Sequence, residues 1–465
     1  MRTSPTRTRA MRAAVGLAAA ASLALLGACA PTGGGTGNGA SGESGQSGAA
    51  ADVSTDISGV GDYTLTVWDQ EVRGGQNEQM EQLNAAFQEK YPNITINRVS
   101  QSFDDLQTTL RLALTGDEAP DVVEANNGRN MMGQFVSAGQ LICLDPWSEA
   151  YGWAERYSES ILQYSSYSSD AKDFGTGCLY GLPQMGESVG IYYSKAKLEK
   201  LGLAVPTTWE ELTAQLPTIK AAGETPLVLG NVEKWPGLQD FGVVLGQHAD
   251  ADTVRTLGFG NAGASWDTPE NLAAATELQD WASAGYFNDG FNGVDYDTVW
   301  QDFAQGTGVY LIAGSWLAAD LADAMGDDAA YMLPPTPEGM DKVQTIGGTS
   351  LPFAVTSASK NPNVAAAYID FITNADAMKV LADTGNVPVN DTAKYAADQK
   401  GVVADVMNAF DTVSTTGNIL PYLDYATPTF DQVAGDAVQG LLDQKLSPQE
   451  FLDTLEQAYT EFTGQ

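Results

Sequence analysis

Residues 63–123 read YTLTVWDQEVRGGQNEQMEQLNAAFQEKYPNITINRVSQSFDDLQTTLRLALTGDEAPDVV. Two hydrophobic rhythms take turns along this stretch. Tyr63 to Trp68 alternates in the period of a half-buried strand. Residues 76–90 then place Met80, Leu83 and Phe87 on one helical face. Pro92-Asn93 turns the chain, and Ile94 and Ile96 alternate in a second strand. Phe103, Leu106, Leu110 and Leu114 return to helical spacing, Gly116 fits the residue just past that helix, and Asp121-Val122-Val123 opens a third strand. Strand, helix, strand, helix, strand predicts a parallel sheet with helices on its faces, so the chain is expected to be α/β.

The same style continues downstream. Thr207-Thr208-Trp209-Glu210 reads as a capping box, and Thr268-Pro269 and Asn361-Pro362 each set a cap residue before a proline at the first helical position. Ala365, Tyr368, Ile369 and Ile372 form an apolar stripe. Ser447-Pro448-Gln449-Glu450 opens a last helix with Leu452, Leu455, Tyr459 and Phe462 on one face. These stripes are core. No internal repeat is present. The roughly 400 residues involved exceed one usual core and imply two domains or lobes.

The front of the chain is different. Arg2, Arg7, Arg9 and Arg12 precede an Ala/Leu/Val-rich run from Ala13 to Leu26, which is 14 residues. A membrane-spanning helix needs roughly 20, so this is the pattern of a signal peptide, residues 1–28. Leu26-Gly27-Ala28-Cys29 resembles the bacterial lipobox, in which cleavage falls before a cysteine that then carries diacylglycerol. Residues 29–61 read as that lipidated Cys29 and a Gly/Ser/Thr-rich linker with too little apolar surface to fold. The expected location is the extracellular face of the cytoplasmic membrane, with the lipid on Cys29 as anchor.

Loss of residues 1–28 removes four arginines and no acid, taking the net charge from −36 to −40. So acidic a chain repels nucleic acid, whose binding rests on Lys and Arg against phosphate. There is one histidine, His248, without metal-ligand spacing around it, which counts against His-dependent catalysis and His-rich zinc sites. No P-loop, no GxGxxG after a strand, no HExxH and no GxSxG occurs. No cofactor, metal site or catalytic residue is therefore assigned. Apart from Cys29, the chain holds Cys143 and Cys178, either a disulfide or two free thiols.

Several segments, in order, resemble the extracellular solute-binding proteins of ABC importers, the family-1 group typified by maltodextrin- and oligosaccharide-binding lipoproteins. They are YTLTVWDQ with LNAAFQEKYPNITINRV, then LRLALTGDEAPDVVEANNG, then LYGLPQMGESVGIYYSKAKLEKLGLAVPTTWEEL. VYLIAGSW, YMLPPTPEG, TIGGTSLPFAVTSASKNPNVAAAYIDFI and TGNVPVN follow. Ser194 stands where the family usually has Asn. The resemblance implies a two-lobe periplasmic-binding-protein-like fold with three inter-lobe crossings and a ligand cleft between the lobes. It sets the crossings near Tyr180–Gly186, Met332–Pro337 and Gly385–Pro388, where Pro183, Pro334, Pro335, Pro337 and Pro388 stand. One lobe is then 62–181 with 336–386, the other 184–333 with 388–465.

The resemblance also implies a non-enzymatic receptor that hands a small carbohydrate to the transmembrane permease subunits of an ABC importer, working as a monomer. A sugar presents C–H faces to aromatic rings and a rim of hydroxyls to paired donors and acceptors. Trp316 after the Val309–Ile312 strand matches the family's stacking Trp, and Trp235 in NVEKWPG its second platform. Tyr425 and Phe430 stand where a third ring is often found. Glu187 matches a family acid at the first crossing. Asp69, Gln70 and Glu71 follow the first strand, and Asn126 and Asn127 the third. Gly347 and Gly348 would admit a sugar close to backbone amides. The competing readings are a surface glycosidase built on two carboxylates, a non-transport surface lipoprotein, and a receptor for a polyamine or other small polar solute.

Overall fold

The computed structural model describes residues 53–116 and 119–464. Its strands, in chain order, are β1 (Tyr63–Asp69), β2 (Ile94–Ser100), β3 (Val122–Glu124), β4 (Ser166–Tyr167), β5 (Cys178–Leu179), β6 (Gly186–Ser194), β7 (Leu227–Val228), β8 (Tyr310–Gly314), β9 (Ala329–Met332), β10 (Gln344–Thr349), β11 (Phe353–Val355) and β12 (Asn418–Leu420). The opening stretch folds as its rhythm requires. In β1 the buried residues are Leu65, Val67 and Asp69, every second position. Helix Gly74–Lys90 buries Met80, Leu83 and Phe87, and helix Phe103–Ala113 buries Leu106 and Leu110.

Two sheets organise the two lobes. The first has the order β11-β3-β1-β2, with β1 parallel to both β2 and β3 and β11 added antiparallel at the edge. The second has the order β12-β10-β6-β8-β7. Its centre is β6, which pairs antiparallel with β8 along one edge. The opposite edge is shared, β10 taking Gly186–Ser188 and β9 taking Ile191–Ser194.

This topology corrects one expected crossing. The proline-rich stretch around Pro334, Pro335 and Pro337 does not leave the second lobe. It is a loop between β9 and β10, and β10 belongs to the second sheet. The chain reaches the first sheet only at Phe353, so residues 344–349 lie in the lobe opposite to the one expected from 336–386. Three segments run side by side where the lobes join. Leu182 and Phe353 exchange backbone hydrogen bonds of 3.0 Å, Ser350 N–H donates to Met185 O at 3.0 Å, and Gly186 N–H donates to Val387 O at 3.1 Å. Each segment carries a proline: Pro183, Pro352 and Pro388.

The folded body also begins earlier than expected. Ile57, inside the stretch read as linker, is 1% exposed and sits in the core. Ser54 N–H donates to Asn363 Oδ1 at 3.1 Å, and Asn93 Nδ2 donates to Val60 O at 2.7 Å. Two apolar residues three apart in a Gly/Ser background are enough to dock that strap. The signal peptide, Cys29 and most of the linker lie outside the described residues. Among the described residues no helix is long and apolar enough to cross a membrane.

Helix starts follow the cap chemistry. Ser447 and Glu450 form a reciprocal capping box, and Thr268 and Asn361 accept from the N–H groups of Asn271 and Val364. The cap near Trp209 falls one residue later than expected: Thr208 accepts from Glu211 N–H, and Thr207 donates to the Glu211 carboxylate. Cys143 and Cys178 are disulfide-bonded, tying the segment before helix Asp145–Tyr151 to β5. His248 is part-buried and bonded to Glu277 at 2.5 Å.

Candidate functional site

A cavity of about 340 Å³ lies between the two sheets. Its wall takes Gln70 at the end of β1, Asn126 just past β3, Glu187 in β6, Trp316 just past β8 and Ile346 in β10. Strand ends are where open α/β sheets leave room for a ligand, because the connecting loops diverge there. The volume corresponds to roughly ten water molecules, the room that a sugar unit or two with its hydration would fill.

The aromatic part of the wall is built by local geometry. Trp316 sits in the short turn Ser315–Leu317 and donates its Nε1–H to Tyr296 Oη at 2.8 Å. Its ring folds back over Gly314. A Cβ at Gly314 would stand 2.0 Å from the indole, so only glycine admits this ring position. Trp235 opens helix Trp235–Leu245, where Lys234 takes a left-handed φ of 74° to start the turn. Around Trp235 lie Tyr296 at 4.5 Å, Phe103 at 6.2 Å and Trp316 at 6.3 Å between ring centroids. Phe103 comes from the first lobe and Trp235 from the second, so this cluster spans the cleft. Tyr422 and Tyr425 add a second ring pair, edge to face at 5.5 Å.

The polar part is mostly acidic. Glu187 accepts from Tyr422 Oη–H at 3.1 Å. Burial is the main cause that pushes its carboxyl up to about 8, aided by the Glu71 charge and opposed by the tyrosine bond and Arg73. Asp424 is pushed up to about 7, by burial and then by Asp431 beside it. Asp104, Glu233 and Asp431 complete the acids of the wall, and Arg73 and Lys234 are its cations. Arg73 bonds Asp297 across the cleft at 3.0 Å, and Lys234 bonds Asp436 at 2.5 Å.

Of the residues singled out from sequence, Gln70, Asn126, Glu187, Trp235, Trp316 and Tyr425 line the cavity. The other six do not. Asp69 is fully buried in a two-pronged pair with Arg98, at 2.7 and 2.8 Å. Glu71 is buried behind Gln70, accepting from its side chain at 2.9 Å. Burial lifts Glu71 to about 7 and holds the adjoining Glu124 well above the usual carboxylate range. Asn127 is buried, donating to Tyr164 O and accepting from Tyr425 Oη–H. Gly347 and Gly348 belong to β10, where a Cβ would strike Glu187 O or the Tyr164 ring. Close packing, not a ligand, calls for them. Phe430 is 0% exposed and stacks on Trp266 at 5.6 Å inside the second lobe.

Sequence reasoning missed Arg73, Gln76, Phe103, Asp104, Asn130, Tyr422, Asp424 and Asp431. Tyr422 and Asp424 lie within PYLDYATPTF, the same segment as Tyr425, and their placement needed only the short turn Leu423–Tyr425 that presents both sides of it. Phe103 was assigned to the core by its helical spacing.

Residues 73–379 match the family described as bacterial extracellular solute-binding protein. The chain belongs to that family. Within it, the maltodextrin-binding protein MdxE of Bacillus subtilis is 24% identical over 384 residues, covering 80% of this chain and 84% of that protein. Among solved structures, a chitin oligosaccharide binding protein superposes with a TM-score of 0.74 at 20% identity, over 86% of this chain and 99% of the other. The GacH receptor of Streptomyces glaucescens, solved unliganded and with acarbose, superposes with a TM-score of 0.70 at 19% identity, over 87% and 99%. The cavity described above lies between the two lobes of this fold.

Proposed function

We propose that this solute-binding protein captures a carbohydrate between its lobes and delivers it to the transmembrane permease of an ABC importer. The observation that carries the reading is one cavity wall holding the indoles of Trp235 and Trp316 and the phenols of Tyr422 and Tyr425 beside Glu187, Gln70 and Asn126. Rings cover the C–H faces of a pyranose, and the protonated carboxyl of Glu187 and the amides, each both donor and acceptor, meet its hydroxyls with two-way hydrogen bonds. The names of the relatives above, which bind maltodextrin and chitin oligosaccharide, support the same class. The lipobox resemblance at Cys29 supports a lipid anchor on the outer face of the membrane, with the residues between it and the strap at 53 as tether.

The test is a panel of mono- and oligosaccharides incubated with the purified chain. A bound solute raises the melting temperature by mass action. The expected result is a shift with a subset of the glycans, each recovered chemically unchanged. Cleaved glycan would replace the receptor reading with a glycosidase. Acyl-chain mass on the N-terminal cysteine of membrane-extracted protein tests the anchor, and a free, unlipidated N-terminus would remove it.

A further inference from the structure

Deepening the carbohydrate reading, on which it rests, we propose that the solute is a saccharide carrying a protonated amine. The cavity wall holds five carboxyl groups: Glu187, Asp424, Asp431, Asp104 and Glu233. Among the described residues none of the five is in an ion pair. The two cations of the wall are both turned to acids outside it. Arg73 is bonded to Asp297 and lies over the Tyr296 ring at 5.9 Å, and Lys234 is bonded to Asp436, its stem against Gly435. Burial holds the proton on Glu187 and much of it on Asp424 near neutral pH, so the acidity that the protein leaves unpaired lies with Asp104, Glu233 and Asp431, and a cation beside Asp424 would favour its ionised form as well.

A neutral sugar satisfies hydroxyl geometry but leaves that acidity unpaired. An ammonium on the ring offsets it, and Trp or Tyr faces attract the same charge through their quadrupole. A second, separate observation points the same way. Gln76 and Asn130 are cavity-wall residues only 2% and 1% exposed, and Gln76 Oε1 and Asn130 Oδ1 have no donor in the protein. Asp431 Oδ1 likewise has none. The same wall has two donors without an acceptor among the described residues, Arg73 Nε and Trp235 Nε1, and an amine-bearing sugar answers both needs, with three N–H donors on its ammonium and acceptors on its hydroxyls.

The experiment is calorimetry on the full-length chain near neutral pH and low salt. The probes are glucosamine and its short oligomers, their N-acetylated counterparts, glucose with malto- and cello-oligomers, and spermidine. The expected result is that an amine-bearing sugar binds roughly tenfold or more tightly than its N-acetylated and all-hydroxyl counterparts. That preference should shrink in high salt and in Asp424→Asn or Asp431→Asn. Two variants at separate positions guard against one that fails to fold. Equal or tighter binding of the neutral forms overturns the charge inference and leaves the carbohydrate reading standing. Binding of spermidine without any glycan, or of no probe at all, overturns both.

Discussion

Gly314→Ala isolates the position of one ring. The backbone at Gly314 has φ −81° and ψ 163°, an extended conformation that alanine adopts freely, so no backbone strain confuses the result. The added methyl would stand 2.0, 2.1 and 2.3 Å from three carbons of the Trp316 indole. Carbon atoms settle at about 3.5 Å, so the ring must move by about 1.5 Å. The bond from Trp316 Nε1 to Tyr296 Oη, 2.8 Å long, opposes that movement and would stretch or break. A stacked ring contributes about 0.5–1.5 kcal/mol beyond the area it covers, and apolar contact adds about 25 cal/mol per Å². A solute in contact with this indole should thus lose about 1.5–2.5 kcal/mol, or roughly 10- to 70-fold in affinity. The assay is calorimetric titration with whichever glycan shifts the melting temperature of the unaltered protein. Circular dichroism confirms that the fold is kept. An affinity within twofold of the unaltered protein would refute the placement of Trp316 on the solute.

Trp316→Ala should weaken binding by at least roughly tenfold in the same titration, and Trp316→Phe by less, because a ring remains to cover the solute. Replacing Cys143 and Cys178 together by serine should lower stability by about 4 kcal/mol from the chain entropy of a 35-residue separation. Solute affinity should be kept, since neither residue is on the cavity wall; chemical denaturation and titration together check both halves. Glu187 holds its proton in the folded state up to about pH 8, against 4.5 unfolded. The folded form therefore binds more protons across that window, so stability falls as pH rises from 4.5 to 8. Glu187→Gln should flatten that fall, by on the order of 2 °C at pH 8.5 in a melting series. An unchanged pH slope would mean that the carboxyl is already ionised in the fold.

Local rules carried most of the first lobe. β1, β2 and the two helices beside them were legible because each has a single buried face, and alternation or helical spacing records that face directly; β3, buried at all three positions, showed only as its Val122-Val123 pair. The second sheet was harder. In β10 every residue from Gln344 to Thr349 is buried, including two glycines, two threonines and a glutamine. A strand covered on both faces has no alternation to read. The preceding prolines then drew the lobe boundary to themselves. Tyr425 and Phe430 show the same limit on a smaller scale. Both are large rings in one segment, and only the start of helix Phe430–Leu442, which points Phe430 at Trp266, separates the one on the cavity from the one in the core. The excess of acid in the cleft was present in the composition. Its focus on one wall required three crossings to fold Asp104 from one lobe against Asp424 and Asp431 from the other.

Those crossings have a mechanical consequence. The segment through Met185 is the middle member of a ribbon, hydrogen-bonded to Ser350 on one flank and joined to Pro388 on the other. Strands tied in this way cannot bend one at a time, and a proline in each leaves places where no amide cross-link resists torsion. Relative motion of the two lobes would therefore have to be shared by all three segments, as a coordinated twist. In the proposed receptor, such a shared twist would carry the state of the cleft to surfaces of both lobes far from the solute.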